Sequence, residues 1–290
     1  MKPSVQNRVA AYPEQVFPVP SAPLCVPSSE ILHLLGVRFH NLSTAEAAGR
    51  IEQFIREGRP RMILARNAAI RVLEEQDAWF REVYANCDLV TVDGMALVYL
   101  GRLLGRPFKE MTGGPALWYE MLRRAAENGY GVYLLGASDT VLQAALIRLP
   151  LLYPGLRLVG HHHGYFREET EDEEEVVTAI RAAHPEILMV GISSPMKERF
   201  LERNLGRLEV PACIGIGGAI DLFAGSSRLS PRWMRVLCLE WVYRIWQEPR
   251  RLLLRYLVGN TRFLWLVMRH LPGITAPAME KARPPWEGNS

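Results

Sequence analysis

No run of about 18 uncharged apolar residues occurs anywhere in this 290-residue chain, so nothing in it reads as a membrane-spanning helix. The most apolar region, Leu252 to Leu271, is interrupted by Arg255, Arg262 and Arg269. Cysteine is scarce. Cys25, Cys87, Cys213 and Cys238 stand far apart, without the paired spacing of a zinc site or redox motif, which points to free thiols in a reducing compartment. No apolar stretch near Lys2 and Arg8 is long enough for a signal peptide. A dinucleotide fingerprint is also missing: Gly215, Gly217 and Gly218 are wrongly spaced for its third glycine, and no suitable acidic residue follows on a second strand. That argues against a nicotinamide-dependent oxidoreductase. There is no Asp-x-Asp pair to hold a metal-bound diphosphate, because Asp221 is a lone carboxylate, and metal-independent chemistry is the expectation.

What is present is an ordinary globular composition, 49% apolar and 22% charged, with a net charge of only +3. From Val37 onward short apolar runs alternate with amphipathic segments. This alternation predicts βα units and an α/β fold, a Rossmann-like mainly parallel sheet with helices on both faces. Strands are expected at Met62–Ala65, Leu89–Val92, Val132–Leu135, Leu156–Val159, Ile187–Val190 and Cys213–Ile216. Helices are expected over Thr44–Glu57, Ala68–Tyr84, Ala116–Asn128, Thr140–Leu149, Glu173–Ala183 and Met196–Leu205, with a further helical pattern from Met95. The chain is expected to divide into a poorly ordered tail (1–29), an α/β main domain (30–229), a helical basic C-terminal appendage (230–272) and a second tail (273–290).

Asp93-Gly94 follows the run Asp88 to Val92, at the C-terminal end of an expected parallel strand, where open α/β sheets bind ligands. By itself the dipeptide fits a helix cap or a strand-to-helix turn better than a catalytic carboxylate. Small residues end three other strands, around Gly136, Gly191 and Gly217-Gly218. They suit a phosphate approaching backbone N–H groups, and equally suit tight turns. The acidic run Glu168 to Glu175 leads into a helix and reads as its solvated first turn. His161-His162-His163 resembles a metal cluster, but adjacent side chains on an extended segment point to opposite faces and cannot easily share one ion.

Between Pro231 and Leu271 eight arginines face only Glu240 and Glu248. Arg244, Arg251, Arg255, Arg262 and Arg269 are spaced by 7, 4, 7 and 7 residues, one stripe of a helix, with Trp233, Trp241, Trp246 and Trp265 interleaved. Pro249 and the Gly259-Asn260 pair are expected to break the segment. Two readings stand: a basic helix lying on an anionic bilayer, each Arg contributing about 1 kcal/mol near the surface, or an apolar side packed on the main domain with its arginines solvated or holding phosphates. No nucleic-acid motif accompanies the basic stretch, so no nucleic-acid partner is expected.

Taken in order, Asp93-Gly94, Thr112-Gly113, Gly164-Tyr165-Phe166, Pro195 with Glu198, Gly217-Gly218-Ala219-Ile220-Asp221, and Leu239-Glu240-Trp241 followed by Tyr243-Arg244 and Glu248-Pro249 form a specific set. From about Val37 to Tyr256 the chain resembles the WecG/TagA/CpsF glycosyltransferases, glycosyltransferase family 26. The resemblance implies a Rossmann-like, UDP-sugar-dependent hexosyltransferase or N-acetylhexosaminyltransferase. Such an enzyme moves a sugar, with inversion, onto a polyprenyl-diphosphate-linked saccharide in cell-wall or exopolysaccharide synthesis. It further implies a cytoplasmic protein, peripheral at the inner face of the bacterial plasma membrane, held there by a C-terminal appendage that also completes the active site. UDP-sugar, lipid-linked acceptor and anionic membrane are the implied partners. No cofactor is implied, and the set leaves room for a homo-oligomer.

Carried over by position, Asp93 is the base, with Asn67 beside it. Tyr165, Lys197 and Asp221 fall at nucleotide contacts, and Gly94, Thr112, Gly136, Gly191, Glu198, Gly217 and Gly218 join the substrate-binding set. Arg228, Arg244 and Arg251 are candidates to neutralise the leaving diphosphate. Several positions depart from the family pattern: Ala65 stands for Thr, Glu110-Met111 for Arg-Val, Pro115 for Asp and Lys197 for Gln. Those at Ala65, Glu110 and Pro115 motivate the alternative of a catalytically degenerate, membrane-bound scaffold in a polysaccharide-assembly complex.

Overall fold

The computed structural model describes residues 30–227, 230–247 and 249–274. Both expected tails, apart from residues 273–274, and Arg228 therefore lie outside the described residues. A hairpin absent from the sequence expectation comes first, β1 (Ile31–Leu34) paired antiparallel with β2 (Val37–His40). The next helix, α1 (Thr44–Glu57), starts with a reciprocal capping box between Ser43 and Glu46 and stops at Gly58 in the left-handed conformation.

The main sheet is built from β3 (Arg61–Arg66), β4 (Leu89–Val92), β5 (Gly131–Gly136), β6 (Arg157–His162), β7 (Ile187–Gly191) and β8 (Ala212–Gly215). All pairings are parallel, and the order is β4-β3-β8-β7-β5-β6. The remaining helices of the α/β part are α2 (Ala68–Gln76), α3 (Ala78–Asn86), α4 (Met95–Leu103), α5 (Gly114–Asn128), α6 (Asp139–Leu152), α7 (Glu171–Ala183), α8 (Met196–Leu208) and α9 (Ala219–Ala224). Strands covered on both faces read as continuous apolar runs, and side-chain alternation divides them between two cores. Along β5, Val132 and Leu134 pack with residues of α1, α5, α6 and α9, whereas Tyr133 and Leu135 pack with α3, α7 and α8. The outer edge of β4 is covered by the hairpin: the half-buried imidazole of His40, its pKa lowered by burial and by Arg38, accepts the Val90 N–H at 3.0 Å.

The C-terminal segment is helical, as α10 (Arg232–Val236), α11 (Glu240–Gln247) and α12 (Pro249–Ile274). A break does fall at Pro249. The Gly259-Asn260 pair, however, makes none, and α12 runs through it. A mid-helix glycine costs only about 1 kcal/mol, an amount that docking on the protein offsets: Leu266 is buried in the cluster formed by Phe39, Val92 and Met95. Two other boundaries differ from expectation. The helix expected over Ala68–Tyr84 is two, because Asp77 ends α2 and its carboxylate accepts the Trp79 and Phe80 N–H groups to start α3. The strand expected at Leu156–Val159 begins one residue later and runs to His162, taking in two of the three histidines.

Candidate active site

The connections fan out from β3 to β4 at one edge and from β5 to β6 at the other, which leaves a crevice over the C-terminal ends of the central strands. On one side of it, Asn67 directly follows β3 and Asp93 directly follows β4. The register Arg66↔Val92 places the two residues side by side. Asn67 caps α2, its Oδ1 accepting the Ile70 N–H at 3.0 Å. The Asp93 N–H donates to the Arg66 carbonyl at 2.9 Å. Gly94 has φ +85, which ordinary side chains rarely adopt, so the turn behind Asp93 requires glycine. Gly94 is the N-cap residue of α4, and Asp93 stands one residue before it at this edge of the crevice.

The N-terminal end of α5 closes over this corner. Gly113 lies against the Asp93 carboxylate and Gly114 against the Ile216 carbonyl, so close that neither has room for a Cβ. A helix N-terminus favours negative charge, supplied here by Asp93 and available to an anionic substrate. Thr112 is fully buried and its hydroxyl donates to the Leu42 carbonyl at 2.9 Å, so it anchors the loop that carries Gly113.

Further along, Gly136 and Gly191 at the ends of β5 and β7 touch backbone to backbone, and Gly164 packs on Gly136. That approach accounts for all three glycines. Tyr165, just beyond β6, is 76% exposed at the same end of the sheet. Gly217 has φ +55 and, with Gly218, turns the chain into α9, where Asp221 sits in the first turn. Burial raises the Asp221 pKa above the ordinary carboxylate value, although Ser226 donates to it.

Lys197 and Glu198 open α8 but are buried rather than lining the crevice openly. The Lys197 ammonium is 3.1 Å from Glu198 Oε1 and donates to Ser194 Oγ at 3.3 Å. Glu198 Oε1 also accepts from Ser194 Oγ (2.8 Å) and from the Tyr84 hydroxyl (3.0 Å). Arg244 lies on α11 and Arg251 on α12. Two departures from the family pattern have structural roles. Glu110 caps α1, accepting from Thr44 N at 2.9 Å and Thr44 Oγ1 at 2.7 Å, and Pro115 occupies the second position of α5, where its missing N–H costs nothing.

A model of the glycosyl transferase WecG/TagA/CpsF family matches residues 32–275, from the first hairpin to the end of α12. The chain belongs to this glycosyltransferase family. Relatives include the N-acetylglucosaminyldiphosphoundecaprenol N-acetyl-beta-D-mannosaminyltransferases of Bacillus spizizenii and Staphylococcus aureus. The first is 24% identical over 75% of this chain and 82% of its own length, the second 28% over 76% and 85%. Within this glycosyltransferase the acidic run behaves as a structural feature: Thr170 caps α7, and Arg203 and Arg207 pair with Glu173 and Glu174. The histidine run is also locally engaged, His163 Nδ1 accepting the Tyr165 N–H at 3.3 Å, and among the described residues no group of three His, Cys, Asp or Glu side chains is placed to hold a metal ion. Sequence reasoning missed Arg66, Glu74 and Tyr84, which lie buried behind Asn67. Charged or hydroxylated residues inside otherwise apolar periodic segments were the available signal.

Proposed function

We propose that this glycosyltransferase moves a sugar from a UDP-sugar to a saccharide linked to polyprenyl diphosphate, inverting the anomeric centre, with Asp93 as general base. The observation that carries the reading is the corner formed by Asn67, Asp93 and the start of α5. There a carboxylate at a strand end meets a helix N-terminus in the crevice, in a chain whose relatives are named for transfer onto a diphosphoundecaprenol-linked saccharide. The acceptor hydroxyl attacks the anomeric carbon as Asp93 takes its proton. The bond from that carbon to the diphosphate oxygen breaks on the opposite face, and UDP departs with the electron pair. A positioned base contributes about 10² to 10⁴-fold to such a step. Lys197, Tyr165 and Asp221 serve the nucleotide, while Arg228, Arg244 and Arg251 offset the charge of the leaving diphosphate.

Access to a lipid-linked acceptor fits the C-terminal segment. No described helix is long and apolar enough to cross a membrane. Yet Leu254, Leu257, Leu264 and Trp265 of α12 and Trp233 and Trp246 before it are each more than half exposed. An amphipathic helix of this kind lies in the membrane interface with its apolar face inward. The scaffold alternative loses ground because Glu110 and Pro115, two of the departures behind it, have roles in the fold.

The test is incubation of the purified protein with a panel of labelled UDP-sugars and polyprenyl-diphosphate-linked saccharides, N-acetylglucosamine first among the acceptors. Formation of a glycosylated lipid supports the reading. A protein that binds UDP but transfers from no donor to any acceptor favours the scaffold.

A further inference from the structure

Arg66 ends β3 with a side chain 2% exposed, yet carries a full charge. Its guanidinium lies between two rings, 4.9 Å from the Phe39 centroid and 5.0 Å from that of Tyr84. Nε and Nη2 both donate to Glu74 Oε1, at 3.0 and 2.7 Å, and Nη1 donates to the Arg38 carbonyl at 2.5 Å. Both faces of the guanidinium and its Nε–Nη2 edge are therefore occupied, and Nη1 is held as well. Few arrangements of this side chain satisfy all four partners together, and its direction is fixed.

What it fixes is the corner that holds the candidate base. The Arg66 carbonyl accepts the Asp93 N–H, and the next residue, Asn67, caps α2. Glu74 lies two turns along that same helix. Strand end, cap, helix and ion pair thus close a ring around Asn67. Tyr84, against the other face of the guanidinium, donates to Glu198 and also reaches the Ala65 carbonyl at 3.3 Å, joining the ring to the Lys197–Glu198 pair.

Stability alone does not call for this arrangement. Glu74 is fully buried, its Oε2 finds no hydrogen-bond partner, and burial raises its pKa even beside Arg66. A buried ion pair with an unsatisfied oxygen is commonly matched or bettered in stability by apolar residues of the same volume. Its distinctive contribution is direction, since two donors meeting one carboxylate oxygen, together with stacking on two rings, fix geometry that apolar packing leaves adjustable.

We propose that Arg66, clamped by Glu74, is a positioning residue that holds Asn67 and Asp93 in register for transfer. This rests on Asp93 being the base. The double variant Arg66→Met/Glu74→Leu replaces the pair with apolar side chains, and Arg66→Lys keeps the charge while losing the fork and the stacking. Three measurements are made on the full-length protein: thermal midpoint with UDP Kd, kcat and KM for transfer, and amide hydrogen exchange over residues 89–95. The double variant is expected to melt within a few degrees of wild type and to bind UDP within about 3-fold. Its kcat is expected to fall at least about 30-fold with little change in KM, and its Asp93 amide to exchange faster. Arg66→Lys is expected to lose kcat in the same direction with its fold intact, and it decides the matter should the double variant fail to fold. A folded variant with kcat within about 3-fold of wild type, or with unchanged Asp93 exchange, overturns the proposal. Because exchange is read without turnover, an inactive wild type would remove the transfer reading while leaving the positioning claim open to the exchange result.

Discussion

Gly113 stands so close to Asp93 that a methyl group on it would fall 2.7 Å from the Asp93 Cγ and closer still to Oδ1. The start of α5 and the candidate base therefore constrain each other, and the smallest possible addition tests that dependence. Gly113→Ala is expected to displace the carboxylate and lower kcat about 10- to 100-fold, because a shift of about 1 Å in a reacting group can cost that much. UDP affinity should stay within a few-fold. Steady-state transfer kinetics with calorimetry of UDP binding checks this, and unchanged kcat would mean the carboxylate is free to move aside without consequence.

Asp93→Asn keeps the shape and removes the base. Transfer is expected to drop by at least about 10²-fold with UDP Kd nearly unchanged. Near-normal turnover would remove Asp93 from the base role and leave Asn67 and Gly113 as structural neighbours only.

Much of this corner was legible beforehand because its signals are local. An apolar run ending in Asp-Gly marks a strand end, and all six strands of the main sheet fell within a few residues of their expected bounds. The β1–β2 hairpin was not legible, since its strands are four residues each and its turn runs through Leu35 at φ 51, a residue with no turn preference. Nor was the split at Asp77, where apolar periodicity continues on either side of one capping carboxylate. Lys197 was placed by motif alone, and only packing reveals that its ammonium is buried against Glu198. Of the expected arginine stripe, Arg262 and Arg269 meet the protein rather than solvent: Arg262 donates to Gln76 at 3.1 Å and Arg269 to Glu75 at 3.3 Å, both on α2. Periodicity fixes which residues share a face, not what that face meets.

For the nucleotide, Asp221→Ala and Tyr165→Ala are each expected to weaken UDP binding, the first by losing an acceptor and the second by losing a stacking surface. A pH signature separates the two. Burial holds the Asp221 pKa above the ordinary carboxylate value, so as pH falls the carboxylate is lost earlier than an exposed one would be. If the charged form binds UDP, wild-type affinity should begin to decline in mildly acidic buffer, relative to an Asp221→Asn control that shares the titration of UDP itself. Parallel pH profiles for the two proteins would exclude Asp221 from nucleotide recognition.

The C-terminal helix makes the most demanding prediction, because its two faces now have different expected roles. Arg262 and Arg269 turn toward α2, and Glu75, pulled below the ordinary range by Arg71 and Arg269 despite partial burial, is ionised there. Leu254, Leu257, Leu264 and Trp265 look outward. Replacing these four with Ser should release the protein from anionic vesicles with little effect on thermal stability, since none of them is part of a buried cluster. Arg262→Glu with Arg269→Glu should act differently: a new carboxylate beside Glu75 repels α2, so the helix undocks, Leu266 loses its buried site and the thermal midpoint falls. Co-sedimentation with anionic and neutral vesicles at two salt concentrations, alongside thermal melts, resolves the outcomes. Exposed charge attraction is screened over about 8 Å at physiological ionic strength, so binding that survives high salt belongs to the apolar face. If the Ser variant binds vesicles as wild type does, that face is not the membrane contact, and if the Glu variant melts as wild type does, the α2 pairs do not hold the helix.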